Sequence, residues 1–282
     1  MTADIARAFA RIDEGLVHYR VVGGPAADRP PLVLLHASPG SSRGLEPLLA
    51  ALHARARGLH AIAPDTLGNG DSAPPVPATP NIAYFADAVV RLLDVLGIDR
   101  ADLYGTHTGA RIACEAGIQY PGRVGRVVFD GIGDYAPEMR ELLLRDYAPE
   151  MRPDDYGRHL IWAFNFVRDQ ALHYPYFLRD PEHRLMTRPV PEADELHTRV
   201  VEVLKGLTSY HKSYRAAFAY PSADRLPLLA RPTLYLDCTA ELPALRERVA
   251  SFAAATPDAR VAAIDGSVQA KAEAIAAFLD AE

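Results

Sequence analysis

The chain is 282 residues long, 49% hydrophobic, with a formal net charge of −6. That size suits one large domain, or a core that carries an inserted lobe. The mild acidity and the lack of any long Lys/Arg cluster argue against nucleic acid as a partner, and no stretch reaches the roughly 20 apolar residues of a membrane span.

The N-terminus shows no basic region followed by an apolar run, so a cytoplasmic protein is expected. Residues 16–22, LVHYRVV, read as an opening strand, and PPLVLLHASPG (30–40) as a buried strand followed by a loop. A helical pattern over 43–56 leads to a strand in LHAIAPD (59–65) and then to a Gly- and Pro-dense loop, LGNGDSAPPVPATP. YFADAVVRLLDVLGI (84–98) has apolar residues three and four apart and predicts an amphipathic helix. A strand at 101–105, a helix from about 108 to 118 and a strand at 123–132 follow. Short apolar strands alternating with helices predict an α/β fold with a mostly parallel sheet covered on both faces. The alternation stops near 134 and resumes at RPTLYLDC (231–238), with a helix near 242–255, a strand at 259–264 and a helix at 268–280. The expected organisation is therefore a core of 1–133 and 226–282, with 134–225 inserted as a helical cap. Cys114 and Cys238 have no neighbour at metal-ligand spacing and are expected to be buried free thiols.

The most informative stretch is LYGTHTGARIACE, residues 103–115. A strand ends at Gly105, a helix opens about three residues later, and small residues flank the tip, His107. That is the pattern of a strand–turn–helix elbow, G-x-S-x-G, with histidine at the nucleophile position. Two further loops carry family patterns. HASPGSS (36–42) resembles the H-G-x-P-G oxyanion loop, with Ala37 at its first glycine, and PDTLGNGDS (64–72) resembles P-D-x-x-G-x-G-x-S. On these three motifs, in this order, the chain resembles the cap-bearing branch of the α/β-hydrolase superfamily.

The departures bear on chemistry. The resemblance implies Ser, Asp or Cys where His107 stands. It places the acid at Glu241, with Asp237 as a second candidate, and a histidine after the last strand where Ser267 or Val268 is found. No histidine follows His211, so a Ser–His–acid triad cannot be assembled from these positions. A neutral imidazole at the tip can act as a general base or acid. Asp130, which ends a strand close to the elbow, and Glu241 are the two acids able to orient it. The resemblance assigns the oxyanion donors to the backbone of Ala37 and Thr108, flanked by His36 and Ser38. His36 also reads as a structural histidine. In the cap, His159, Trp162, Arg168 and His173 are candidates for the pocket lid, with Arg168 receiving a carboxylate or enolate oxygen; the other reading pairs Arg168 with Asp169 and puts the rings in the core.

The expected function is that of an atypical enzyme of this fold acting on a small, largely apolar organic substrate. Ester, C–C or thioester hydrolysis, or cofactor-free lyase chemistry, fits His107 as general acid–base. The alternative is an inactive scaffold that binds a small molecule. Neither cofactor nor metal is expected, and self-association is left open.

Overall fold

The computed structural model describes residues 4–25, 29–56, 58–185 and 190–281. Among the described residues eight strands form one sheet: β1 (Ala6–Ile12), β2 (Gly15–Val22), β3 (Leu32–Leu35), β4 (Ala61–Pro64), β5 (Ala101–Thr106), β6 (Val124–Asp130), β7 (Thr233–Cys238) and β8 (Ala259–Ile264). Their spatial order is β1-β2-β4-β3-β5-β6-β7-β8. The β1–β2 and β2–β4 pairs are antiparallel, and every other pair is parallel. Six helices flank or end the strands: α1 (Glu46–Arg55), α2 (Ile82–Val95), α3 (Thr108–Gln119), and, after the central insertion, α9 (Pro243–Ala255) and α10 (Val268–Asp280), with the short α8 (Ser222–Arg225) leading into β7. Between β6 and α8 lie α4 (Pro137–Asp146), α5 (Arg158–Leu172), α6 (Ala193–Lys205) and α7 (Tyr210–Ala219).

The two faces of the sheet are sorted by the alternation of side chains along each strand. In β3, Val33 and Leu35 face a core shared with α2, α3 and α9, while Leu32 and Leu34 face a second core shared with α1 and α10. A strand buried on both sides has to be apolar throughout, which is why LVLL reads so plainly. A third cluster joins α4 to α7 through aromatic rings: Tyr147 packs edge-on against Phe166, Tyr176 and Phe218.

The sequence reading opens the sheet one strand too late. Ala6–Ile12 forms a seven-residue edge strand, joined to β2 by a tight hairpin that pairs Ile12 with Gly15. Its outward positions are exposed and include Arg7, Phe9 and Arg11, so its apolar signal is confined to Ala10 and Ile12. Both cysteines are buried and free, as expected, and burial pushes the Cys114 thiol up to about 12.

Candidate active site

The elbow is held by close backbone approach. β5 stops at Thr106, α3 starts at Thr108, and His107 between them has φ 49° and ψ −102°. It is the one non-glycine residue with positive φ among the described residues. A Cβ on Gly105 would lie 2.3 Å from the Gly109 carbonyl oxygen, and one on Gly109 would lie 2.1 Å from that of Leu35. Only glycine fits either position. The His107 N–H donates to the carbonyls of Asp130 and Gly131, at 3.3 and 3.1 Å, which pins the turn to the end of β6.

The His107 imidazole is 38% exposed and faces a cavity of about 900 Å³. Its Nε2 lies 3.2 Å from Glu241 Oε2, within ion-pair distance. Glu241 sits in the loop after β7, and its Oε1 accepts the Leu242 N–H at 2.7 Å. Gly131 makes the meeting possible: a Cβ there would come within 2.7 Å of Glu241 Oε2 and 3.2 Å of His107 Cε1. The acid placed by spacing is therefore the acid found beside the imidazole.

Asp130 is not. Its buried carboxylate accepts from Tyr104 Oη at 2.5 Å and Lys271 Nζ at 2.6 Å, with Cys238 Sγ at 3.5 Å. Burial by itself would lower the Lys271 ammonium, but the Asp130 carboxylate more than offsets it and the pKa is raised. Burial also holds the Tyr104 phenol far above its ordinary range. Asp130 thus anchors α10 to the centre of the sheet and meets His107 only through its backbone. In the loop after β8, Ser267 caps α10 by accepting the Ala270 N–H, and no imidazole is supplied.

On the oxyanion side, the loop amide that reaches the elbow is that of Ser38, which donates to Thr108 Oγ1 at 3.4 Å. Ala37 contributes its carbonyl, which accepts from His36 Nδ1 at 2.8 Å and from the Gly40 N–H at 2.9 Å. His36 Nε2 accepts the Thr66 N–H at 2.9 Å. With both ring nitrogens engaged and burial lowering its pKa, His36 is a neutral brace between two loops. Ser38 Oγ donates to Ser213 Oγ on α7 at 2.8 Å.

The four residues of the expected cap singled out from sequence do not line the cavity. His159 Nδ1 accepts the Asp154 N–H at 3.2 Å, and Trp162 stacks on Phe166 with ring centroids 4.8 Å apart. Arg168 pairs with Asp169, which also takes Arg179. His173 ends α5 and bridges by its backbone to Arg184. The wall is built instead from Arg111, Tyr135, Gln170, Tyr174, Glu202 and Tyr214, among others. Arg111 lies inside the elbow motif itself; its signal in the sequence is the four-residue spacing from His107, which returns it to the same side of α3.

Among the described residues one group has the spacing of metal ligands: His18, Asp65 and Asp71. Its atoms are already engaged. His18 Nδ1 meets Asp65 Oδ2 at 2.9 Å, Asp65 accepts the amides of Ser42 and Asp71, and Asp71 pairs with Arg7 and Lys205. Two cations beside one carboxylate make it a brace for the loop after β4. No helix among the described residues is long and apolar enough to cross a membrane.

The family model for the α/β hydrolase fold matches residues 30–168. The protein has the α/β-hydrolase fold. Two solved structures align over nearly the whole chain: a hydrolase from Pseudomonas aeruginosa (TM-score 0.72, 21% identity, 98% of both chains) and an enol-lactonase from Burkholderia xenovorans (TM-score 0.69, 21% identity, 96% of both). Among curated proteins, a 2-hydroxy-6-oxononadienedioate/2-hydroxy-6-oxononatrienedioate hydrolase of Pseudomonas putida is 37% identical over 148 residues, 47% of this chain and 49% of that protein. A 2-hydroxy-6-oxo-6-phenylhexa-2,4-dienoate hydrolase of Burkholderia cepacia is 32% identical over 133 residues, 44% of each. The chain spans about half the length of the curated relatives it matches. Family model and solved structures together show the α/β-hydrolase fold.

Proposed function

We propose that this protein is an enzyme of the α/β-hydrolase fold that hydrolyses a small organic substrate, with His107 as general acid–base and Glu241 as the group that holds it. The observation that carries the reading is an imidazole at the tip of the elbow, 3.2 Å from a carboxylate and open to a cavity of about 900 Å³. In this reading residues 134–225 are the cap, closing the cavity over a core of 1–133 and 226–282.

With Glu241 drawing the Nε2 proton, Nδ1 carries the lone pair that takes a proton from water or from a carbon acid. The amides of Ala37 and Thr108 receive the oxyanion that develops. Thr108 is the first residue of α3, and the opening N–H groups of a helix have no partner within it. The relatives supply the reaction class: one is named as a hydrolase of an oxo-dienedioate and an oxo-trienedioate, another as a hydrolase of an oxo-dienoate.

If His107 transfers the proton, H107A loses roughly 10²–10⁴-fold in turnover while substrate affinity changes little. The assay is turnover on a substrate found by screening small esters, diketones and lactones. Equal kcat for wild type and a folded H107A ends the proposal. That result favours the second reading, a binding protein without turnover, for which the specific observation is the loop after β8: Ser267 is a helix cap and Lys271 is committed to Asp130.

A further inference from the structure

Two buried charged side chains in the cavity wall have no task in the chemistry just described. Arg111 is 3% exposed and lies one turn after His107 on α3. Its Nη1 and Nη2 donate to the carbonyls of His107 and Gly133 at 3.1 and 2.7 Å, while its Nε has no hydrogen-bond partner. Among the described residues no carboxylate lies within ion-pair distance of this guanidinium. Its other neighbour is the Tyr135 ring, 5.8 Å from the guanidinium carbon to the centroid. A buried cation with no counter-charge is costly to keep, and an anionic group carried by a ligand removes that cost. A carboxylate is the anion that matches the planar fork.

Glu202, on α6, presents the opposite case. It is 6% exposed, lines the same cavity, and has no hydrogen-bond partner at Oε2. The ammonium of Lys205 stays 3.8 Å from Oε1. One wall therefore asks for an anion and another for a hydrogen-bond donor, while aromatic and apolar residues such as Tyr174, Val203 and Phe218 line the space they share.

We infer that the cavity takes a small monocarboxylate whose far end carries a hydrogen-bond donor, with the carboxylate on Arg111 beside His107 and the donor on Glu202. This assignment rests on the reading of the His107 site as the place of reaction. It selects against a dicarboxylate, because the second carboxylate would meet the like charge of Glu202.

The test is calorimetric binding to the full-length protein, which needs no turnover. The probes are ω-hydroxy carboxylates from 4-hydroxybutanoate to 8-hydroxyoctanoate, their primary amides, and the corresponding dicarboxylates. Wild type should prefer the hydroxy acid of best length to its amide and to the diacid by roughly tenfold to a hundredfold, the size of a charge-assisted hydrogen bond. R111Q should erase the acid-over-amide preference, R111K should keep part of it, and E202Q should erase the preference over the diacid. Equal wild-type affinity for acids and amides at every length overturns the inference, as does an R111Q variant that weakens acids and amides alike. If R111Q does not fold, the wild-type ratios and R111K decide. H107A should show wild-type ratios whatever its turnover, so failure of the His107 reading and failure of this one give different results.

Discussion

A histidine at φ 49° and ψ −102° lies outside the left-handed helical region, where a non-glycine residue costs of order 1–3 kcal/mol. That strain, and the Glu241 carboxylate beside it, separate His107 from a serine nucleophile in what they allow. H107S should not restore hydrolysis, since the loop after β8 offers no base to activate a hydroxyl; turnover rising toward wild type in H107S would refute this. A fluorophosphonate probe should leave the protein unlabelled, as read by intact mass, because the serines of the oxyanion loop are engaged in hydrogen bonds rather than paired with a base. Stoichiometric labelling of Ser38, Ser41 or Ser42 would place a nucleophile there. E241Q should lower kcat with little change in KM, by loosening the imidazole rather than emptying the cavity. The elbow and Glu241 were legible because each is tied to the end of a strand. Asp130 was not, because its partner Lys271 comes from a helix 141 residues away in sequence. Of the two roles the sequence left open for Arg168, the structure shows the local one: Asp169, its own neighbour, takes the guanidinium at 2.8 Å.

Secondary structure followed from the sequence along most of the alternation of strands and helices. The strand at 259–264 and the helix at 268–280 match β8 and α10, and the four apolar residues of β3 leave no other reading. β1 escaped because an edge strand with one face in solvent needs only alternate apolar residues, and here only Ala10 and Ile12 are buried. Within the helical insertion the rings were legible, but not their destination. Spacing puts several aromatics on one face of α5, yet Phe166 and Trp162 turn toward Tyr210 of α7 rather than toward the cavity. The contact between α3 and β3 sets a sharper constraint. G109A places a methyl 2.1 Å from the Leu35 carbonyl oxygen, a backbone atom that cannot swing away. The variant should lose roughly 3 kcal/mol, at the upper end of overpacking costs, seen as a lower denaturant midpoint at unchanged slope. An unchanged midpoint would mean that the elbow can open without cost.

Across the molecule, burial of neutral imidazoles gives stability a pH dependence of definite sign. His36, His60 and His211 all have pKa values lowered from 6.5, burial being the largest cause in each. The folded state then binds fewer protons than the unfolded chain once the pH falls below about 6.5. Stability held above that point is lost progressively as the pH drops through the folded-state values. Denaturant midpoints should fall between pH 7.5 and 5.5, and a flat profile would contradict the buried, neutral assignment. The parallel sheet has a different consequence for synthesis. α1 and α10 cover the same face of the sheet, although most of the chain separates them in sequence. While the ribosome is still adding residues, Leu48, Leu49 and Leu52 of α1 have no Ile275 or Phe278 to meet. That face lacks its α10 partner until residues 268–280 emerge, so the packing of α1 on this side of the sheet is completed only at the end of translation.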